Sequence, residues 1–216
     1  MEFLNRIKSL SLKRWIWMVL GNVILAMGVT ILKWSATGND PYTGMNMSLA
    51  ENVFGLTYGT FLILINCFVF LIELFLGRKY IGPGTFVNWF LIGIIVDFLY
   101  PQVVHFWGDL EGWPVRIAVA IVGVVITGFA CSTYQTADAG ISPYDSLPII
   151  MNEKLKLPYF GCRIFFDGVC ALVCFLTGGI VGVGMLMCVA LVGPIVSFFD
   201  KVFSRRVILG EKKRKA

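Results

Sequence analysis

Two short segments carry the residue types that could hold a ligand: Gly38-Asn39-Asp40-Pro41-Tyr42-Thr43 and Gly140-Ile141-Ser142-Pro143-Tyr144-Asp145. Both read as helix starts. Asp40 and Ser142 offer side-chain oxygens to first-turn amides, and Pro41 and Pro143 suit the first helical position because their nitrogen has no hydrogen to leave unpaired. Gly38 and Gly140 permit a tight bend just before. A helix start presents unpaired N–H groups and about half a positive charge, which suits an anion or a polar acceptor. Thr43 adds a hydroxyl donor, whereas Asp145 adds a negative charge that prefers a cation or a proton. Tyr42 and Tyr144 contribute hydroxyls and stacking faces.

Three further polar residues fall inside apolar runs: Asn66, Arg163 and Asp167. Ionisable groups in a bilayer are costly and face a bundle interior or a cavity. Arg163 and Asp167 are one helical turn apart, so the pair either lines such a cavity or only holds helices together. Glu73 is expected to reach toward interfacial water near Arg78, and Asp97 to do the same at the far end of its run. Asn22 and Asn88 are expected to join neighbouring helices, and the glycines at 21, 28, 123, 128, 184 and 193 to permit close packing. The thioether pairs Met45/Met47 and Met185/Met187 raise soft-metal binding, but without companion His or Cys they read as packing, and no metal or other cofactor is expected.

The elements that must position these residues are long apolar runs. Of 216 residues 57% are hydrophobic and only 14% charged, too little polar surface for a soluble globule of this size. Runs near the ~20 residues that cross a bilayer occupy 15–34, 57–76, 84–100, 115–134, 160–177 and 179–199. The first is too long for a signal-peptide core and lacks a small-residue cleavage site. The formal charge of +5 comes from residues between the runs and reads as a topology signal, which removes nucleic acid as a partner. With six spans, all of the 18 Lys and Arg except Lys33 and Arg116 share one side, so both termini are expected in the cytoplasm. The six cysteines lie in or beside apolar runs and read as small packing residues.

The two halves match. Gly21, Gly38, Pro41, Tyr42 and Gly59 recur 102 residues later as Gly123, Gly140, Pro143, Tyr144 and Gly161, and Gly84 and Gly93 recur 100 residues later as Gly184 and Gly193. Three spans per half, an odd number, would put the second copy upside down, an arrangement that in transporters and channels sets the site near the midplane between the halves. The expected fold is therefore an all-α integral membrane protein of six transmembrane helices in two inverted three-helix repeats. The expected divisions are a cytoplasmic segment 1–14, repeat one over 15–100, an external loop 101–114, repeat two over 115–200 and a basic cytoplasmic tail 201–216. The stretches 42–54 and 144–155, about 20 Å long as helices, are too short to span. They either dip into the membrane as re-entrant half-helices or lie flat on its surface.

The motif at 140–145, its partner at 38–43 and the glycine-containing third span of each half resemble the YitT/YczE group of bacterial membrane proteins over nearly the whole chain. The shared Gly-x-x-Pro-aromatic-Asp/Thr pattern falls on Gly140, Pro143, Tyr144 and Asp145, and on Gly38, Pro41, Tyr42 and Thr43. The resemblance implies a bacterial inner-membrane location and a permease-like role without a substrate. From the residues, the expected function is passage of a small polar or anionic solute between the halves, through a site of Gly38, Asp40, Pro41, Tyr42, Thr43, Asn66, Gly140, Ser142, Pro143, Tyr144, Asp145, Arg163 and Asp167. The partners are the lipid bilayer and that solute, with a homodimer left open. Two other classes stand beside it. One is a binding or scaffold subunit whose basic tail Lys212 to Lys215 contacts a partner. The other is an intramembrane enzyme using Asp138 and Asp145, for which no second-acid motif, phosphate loop or nucleophile elbow is present.

Overall fold

A computed structural model describes residues 10–210, and within them the secondary structure is helical, with eight α-helices. The basic residues Arg6, Lys8 and Lys212 to Lys215 lie outside the described residues. The helices are α1 (Leu12–Ser35), α2 (Pro41–Ser48, continued by a π-helical turn, Leu49–Phe54), α3 (Tyr58–Leu76), α4 (Pro83–Trp107), α5 (Trp113–Thr136), α6 (Pro143–Leu155), α7 (Tyr159–Leu176) and α8 (Val183–Phe199, continued as a π-helix, Asp200–Leu209). Among the described residues five helices are long and apolar enough to cross a bilayer: α1, α3, α4, α5 and the continuous Val183–Leu209. Their outer faces are covered with exposed apolar side chains such as Phe68, Phe75, Phe98 and Leu186, the surface expected where lipid is the solvent.

The centre is an antiparallel pair, α1 against α5, set by small residues. A Cβ on Gly21 would lie 2.8 Å from the Tyr134 nitrogen, one on Gly28 3.0 Å from the Thr127 nitrogen, and one on Gly123 2.8 Å from Leu32 Cγ. Position numbers rise along α1 as they fall along α5, so the helices run in opposite directions. Each carries a third helix on its flank: α4 joins α1 through the Asn88 amide donating to Asn22 Oδ1 at 2.8 Å, and α8 joins α5 where Gly128 admits Ile195.

The short helices cross between halves. α2 packs on α7 and α6 on α3. Ser48 at the end of α2 bonds the Thr177 hydroxyl at 2.5 Å, and Ile150 of α6 fills the space that Gly77 leaves at the end of α3.

Four sequence expectations need correction. The external loop 101–114 shrinks to 108–112, because α4 runs on through Pro101 to Trp107 on its apolar Val103, Val104, Phe106 and Trp107, and the Trp34 indole nitrogen donates to the Gly108 carbonyl at 2.8 Å. The tail does not begin at 201: Asp200–Leu209 continues α8 and is anchored by Ser204 bonding Ser132 at 2.7 Å and by Asp200 accepting from Thr136 at 2.9 Å. Asp97 does not reach for water; it accepts the Gly59 amide at 2.9 Å, satisfying one of the free N–H groups at the start of α3. Gly193 packs nothing, since a Cβ there would meet no atom within 4 Å.

That last point breaks the likeness of the halves. Gly59 and Gly93 bring α3 onto α4, a Cβ on Gly93 lying 2.6 Å from Gly59 Cα, whereas their counterparts Gly161 and Gly193 face open space. Overpacking a tight crossing costs about 1–3 kcal/mol. Gly93→Ala should therefore lower the thermal midpoint of the detergent-purified protein by several degrees, and Gly193→Ala should leave it unchanged; equal effects would contradict the asymmetry.

Candidate functional site

The two half-helix starts form as their residues dictate. Asp40 accepts the Thr43 amide at 3.1 Å and Ser142 the Asp145 amide at 3.2 Å, with Pro41 and Pro143 in the first turn. Gly38 and Gly140 adopt φ of +103° and +122°, the left-handed region that glycine enters without strain. Both turns are gripped from the other half. The Gly84 amide at the start of α4 donates to the Ala139 carbonyl at 2.7 Å, and the Gly184 amide at the start of α8 donates to the Thr37 carbonyl at 2.9 Å. A Cβ on Gly140 would lie 2.7 Å from Gly82 Cα, and one on Gly38 2.9 Å from the Ile180 carbonyl oxygen, so neither turn could carry a side chain.

These turns bring the helix tips together. The rings of Tyr42 and Tyr144 stack face to face, centroids 4.0 Å apart and 9° from parallel. Each hydroxyl donates to the second long helix of its own half: Tyr42 to Asn66 Oδ1 at 2.8 Å and Tyr144 to Asp167 Oδ1 at 2.7 Å. The polar face of α2 (Thr43, Asn46 and Ser48) is buried in protein, which is inconsistent with a helix lying flat with its polar side in water.

Around Tyr144 lies a charge cluster. Arg163 binds Asp145 through Nη1 at 2.7 Å and Asp167 through Nε at 3.0 Å, and its guanidinium lies 5.3 Å over the Tyr144 ring. Asp145 also accepts from the Tyr134 hydroxyl at 2.6 Å and the Ser142 hydroxyl at 2.9 Å. The pairing of Arg163 with Asp167 is thus one arm of a three-residue network that ties α6 to α7. Two carboxylates share one cation, and the residual charge is spread over neutral donors.

Of the residues singled out by sequence, Tyr42, Asn66, Ser142, Tyr144, Asp145, Arg163 and Asp167 form one connected cluster, while Asp40 and Thr43 cap their own helix beside it. Gly38, Pro41, Gly140 and Pro143 shape the backbone and present no side chain to the site. Sequence reasoning missed Tyr134, whose hydroxyl sits at the end of an apolar run, and Asn46, which lies one turn after Tyr42. Asn46 is fully buried and neither amide atom has a partner, an unusual state for a buried polar group. It also misjudged Glu73, which is fully buried with both carboxyl oxygens unpartnered, while Arg78 turns its Nε to the Leu74 carbonyl at 2.8 Å. Among the described residues no group of three or more His, Cys, Asp or Glu is arranged to hold a metal.

A family model described as "Family of unknown function (DUF6198)" matches residues 12–201. Bacillus subtilis "Uncharacterized membrane protein YczE" is 29% identical over 189 residues, covering 86% of this chain and 84% of the relative. An "Uncharacterized protein" of Haemophilus influenzae is 27% identical over 187 residues, covering 84% and 81%. No solved structure matches the chain.

Removing the shared cation should be more damaging than removing one of its carboxylates, because an unpaired buried charge costs about 3 kcal/mol or more. Arg163→Gln should lower the thermal midpoint markedly, and adding Asp167→Asn should restore part of the loss. If the double variant is no more stable than Arg163→Gln, the network is not the unit described.

Proposed function

The chain belongs to that family of unknown function, among YczE-type membrane proteins, and from that premise we propose that it is a carrier for a small polar solute bound where the tips of α2 and α6 meet. In this reading α7 is the sixth span, the chain comprises two inverted three-span repeats, and both termini face the cytoplasm of a bacterial inner membrane. The antiparallel α1/α5 pair, the swapped packing of α2 and α6 and the reciprocal Gly84 and Gly184 bonds support it.

The observation that carries the reading is the Tyr42/Tyr144 stack beside an Asn46 whose amide is buried and unsatisfied. Flat aromatic faces and a buried amide with no well-formed hydrogen bond are what a small polar solute needs once the rings part. The electrostatics favour a neutral or cationic solute over an anionic one. Asp40 and Asp145 already occupy the positive helix starts, and Arg163 is committed to two carboxylates. The closed α3/α4 crossing opposite the open positions at Gly161 and Gly193 supports alternating access over a continuous pore, because related halves in different conformations can exchange them.

One observation favours a second reading, that of a scaffold subunit: in this conformation the centre is filled by the protein's own side chains. Co-purification of a stoichiometric partner would support it. An enzyme using Asp138 and Asp145 has less behind it, since Asp138 lies exposed on a turn while Asp145 is held by three side chains.

Reconstituted into liposomes with a panel of anions, amino acids, vitamins and small cations, the protein should take up a neutral or cationic member. Asn46→Ala should weaken its apparent affinity about tenfold, the worth of one hydrogen bond of about 1.4 kcal/mol. No uptake or binding across the panel would overturn the carrier reading.

A further inference from the structure

We propose that Glu73 is a proton-binding site coupled to the carrier's cycle, an inference that rests on the carrier reading. Glu73 stands on α3 of the first half, against α6, the half-helix of the second. Its side chain is fully buried and no hydrogen bond or ion pair reaches either oxygen. The polar side chain that acts on it is that of Ser146, itself fully buried. Ser146 gives its hydroxyl proton to the Pro143 carbonyl at 2.8 Å, and neither Glu73 oxygen has a well-formed hydrogen bond. A carboxylate in that place would be a fully buried charge with no cation and no well-formed donor on it, a cost that a neutral carboxyl group avoids.

The charged groups on every element packed against α3 are engaged elsewhere or distant. On α6, Asp145 belongs to the Arg163 network, Glu153 pairs with Lys79 at 2.6 Å and Lys154 is exposed. In the turn after α3, Arg78 bonds the Leu74 carbonyl and Tyr80 adjoins Lys79. On α4, Asp97 holds the Gly59 amide at the opposite end, and the π-helical turn after α2 has Glu51 paired with Lys33 at 2.5 Å. Among the described residues no cation pairs with Glu73.

The other half shows what the position requires for packing alone. Asn66 and Asp167 hold the paired tyrosines, and counting on by the same 101 residues from Glu73 reaches Cys174. Cys174 faces Gly44 on α2, its sulfur 3.5 Å from where a Cβ would be, as Glu73 faces Ser146 on α6. A small thiol fills that crossing, so a carboxyl group at its counterpart is more than filler. It binds H+ while the α3/α6 crossing is sealed and releases it to water as carboxylate when the crossing opens, so that one proton moves with each cycle.

Two measurements test this on the full chain in proteoliposomes. First, the infrared spectrum at neutral pH should contain the carbonyl stretch of a neutral carboxylic acid, shifted in D2O and lost in Glu73→Gln. An unchanged band in that variant, or no band in the parent, overturns the proposal whatever the solute. Second, with a dye trapped inside to report pH, any panel solute taken up by the parent should carry protons with it. Glu73→Gln and Glu73→Cys, both checked for folding by size-exclusion chromatography, should lose proton movement and gradient-driven accumulation while keeping solute exchange. Solute uptake without protons in the parent, or proton movement persisting in both variants, also overturns it. If the parent takes up no panel solute, the carrier reading fails while the infrared result still decides the state of Glu73.

Discussion

Hydrocarbon offers no water to a broken helix, so each interrupted stretch of backbone inside a bilayer must find its hydrogen bonds within the protein. In the carrier reading the turns before α2 and α6 are such interruptions, and each is met by an amide from the far half: Gly184 on the Thr37 carbonyl, Gly84 on the Ala139 carbonyl. Gly38 and Gly140 need both the close approach and the positive φ, and Gly82 and Gly184 opposite them need the close approach alone, which explains why the four cluster where they do. Neither half can finish its own half-helix. Once the turns are sealed across the interface, the proline-capped tips are fixed opposite each other and Tyr42 must lie on Tyr144.

The charges obey the same economy of partners. Arg163 cannot be left alone in a low-dielectric interior, and Asp145, Asp167 and the Tyr144 ring surround it. That satisfaction makes the network a clamp that holds α6 to α7. Among the described residues the groups left unsatisfied are different in kind: Asn46 beside the stacked rings, Glu73 at a crossing between the halves and the Thr127 hydroxyl in the α1/α5 contact. Since buried polar groups are almost always paired, the unpaired amide on α2 and the unpaired carboxyl group on α3 mark the places where this molecule is built for more than holding its shape.

Much of this was legible in the residues. Caps and prolines act within one turn, so the starts of α2 and α6 follow from Asp40, Pro41, Ser142 and Pro143 alone. The likeness of the two tips was legible because Gly38 and Gly140, at close approaches, have no substitute. What stayed hidden needed the third dimension. The partner of Tyr42 lies in the other half, and nothing local says that Asp145 should collect Arg163, Tyr134 and Ser142. Glu73 and Asp97 read as interfacial from their distance to a run's end, yet the crossing with α6 encloses Glu73 and the start of α3 holds the half-buried Asp97. Pro101 suggested an end to α4, but the helix continues past it to Trp107. Gly193 matched its counterpart in sequence and not in contact, because matched residues can sit in halves of different conformation.

In the carrier reading, the meeting point of the two half-helices opens to water during the protein's work. The direct measurement replaces all six native cysteines, places a single cysteine at Asn46, and follows its labelling by a membrane-impermeant thiol reagent added to one side of sealed vesicles and then the other. Labelling from at least one side, slowed when a bound solute is present, is the predicted result. A thiol that stays inert from both sides at every pH and solute composition would mean that the centre is a permanent seal.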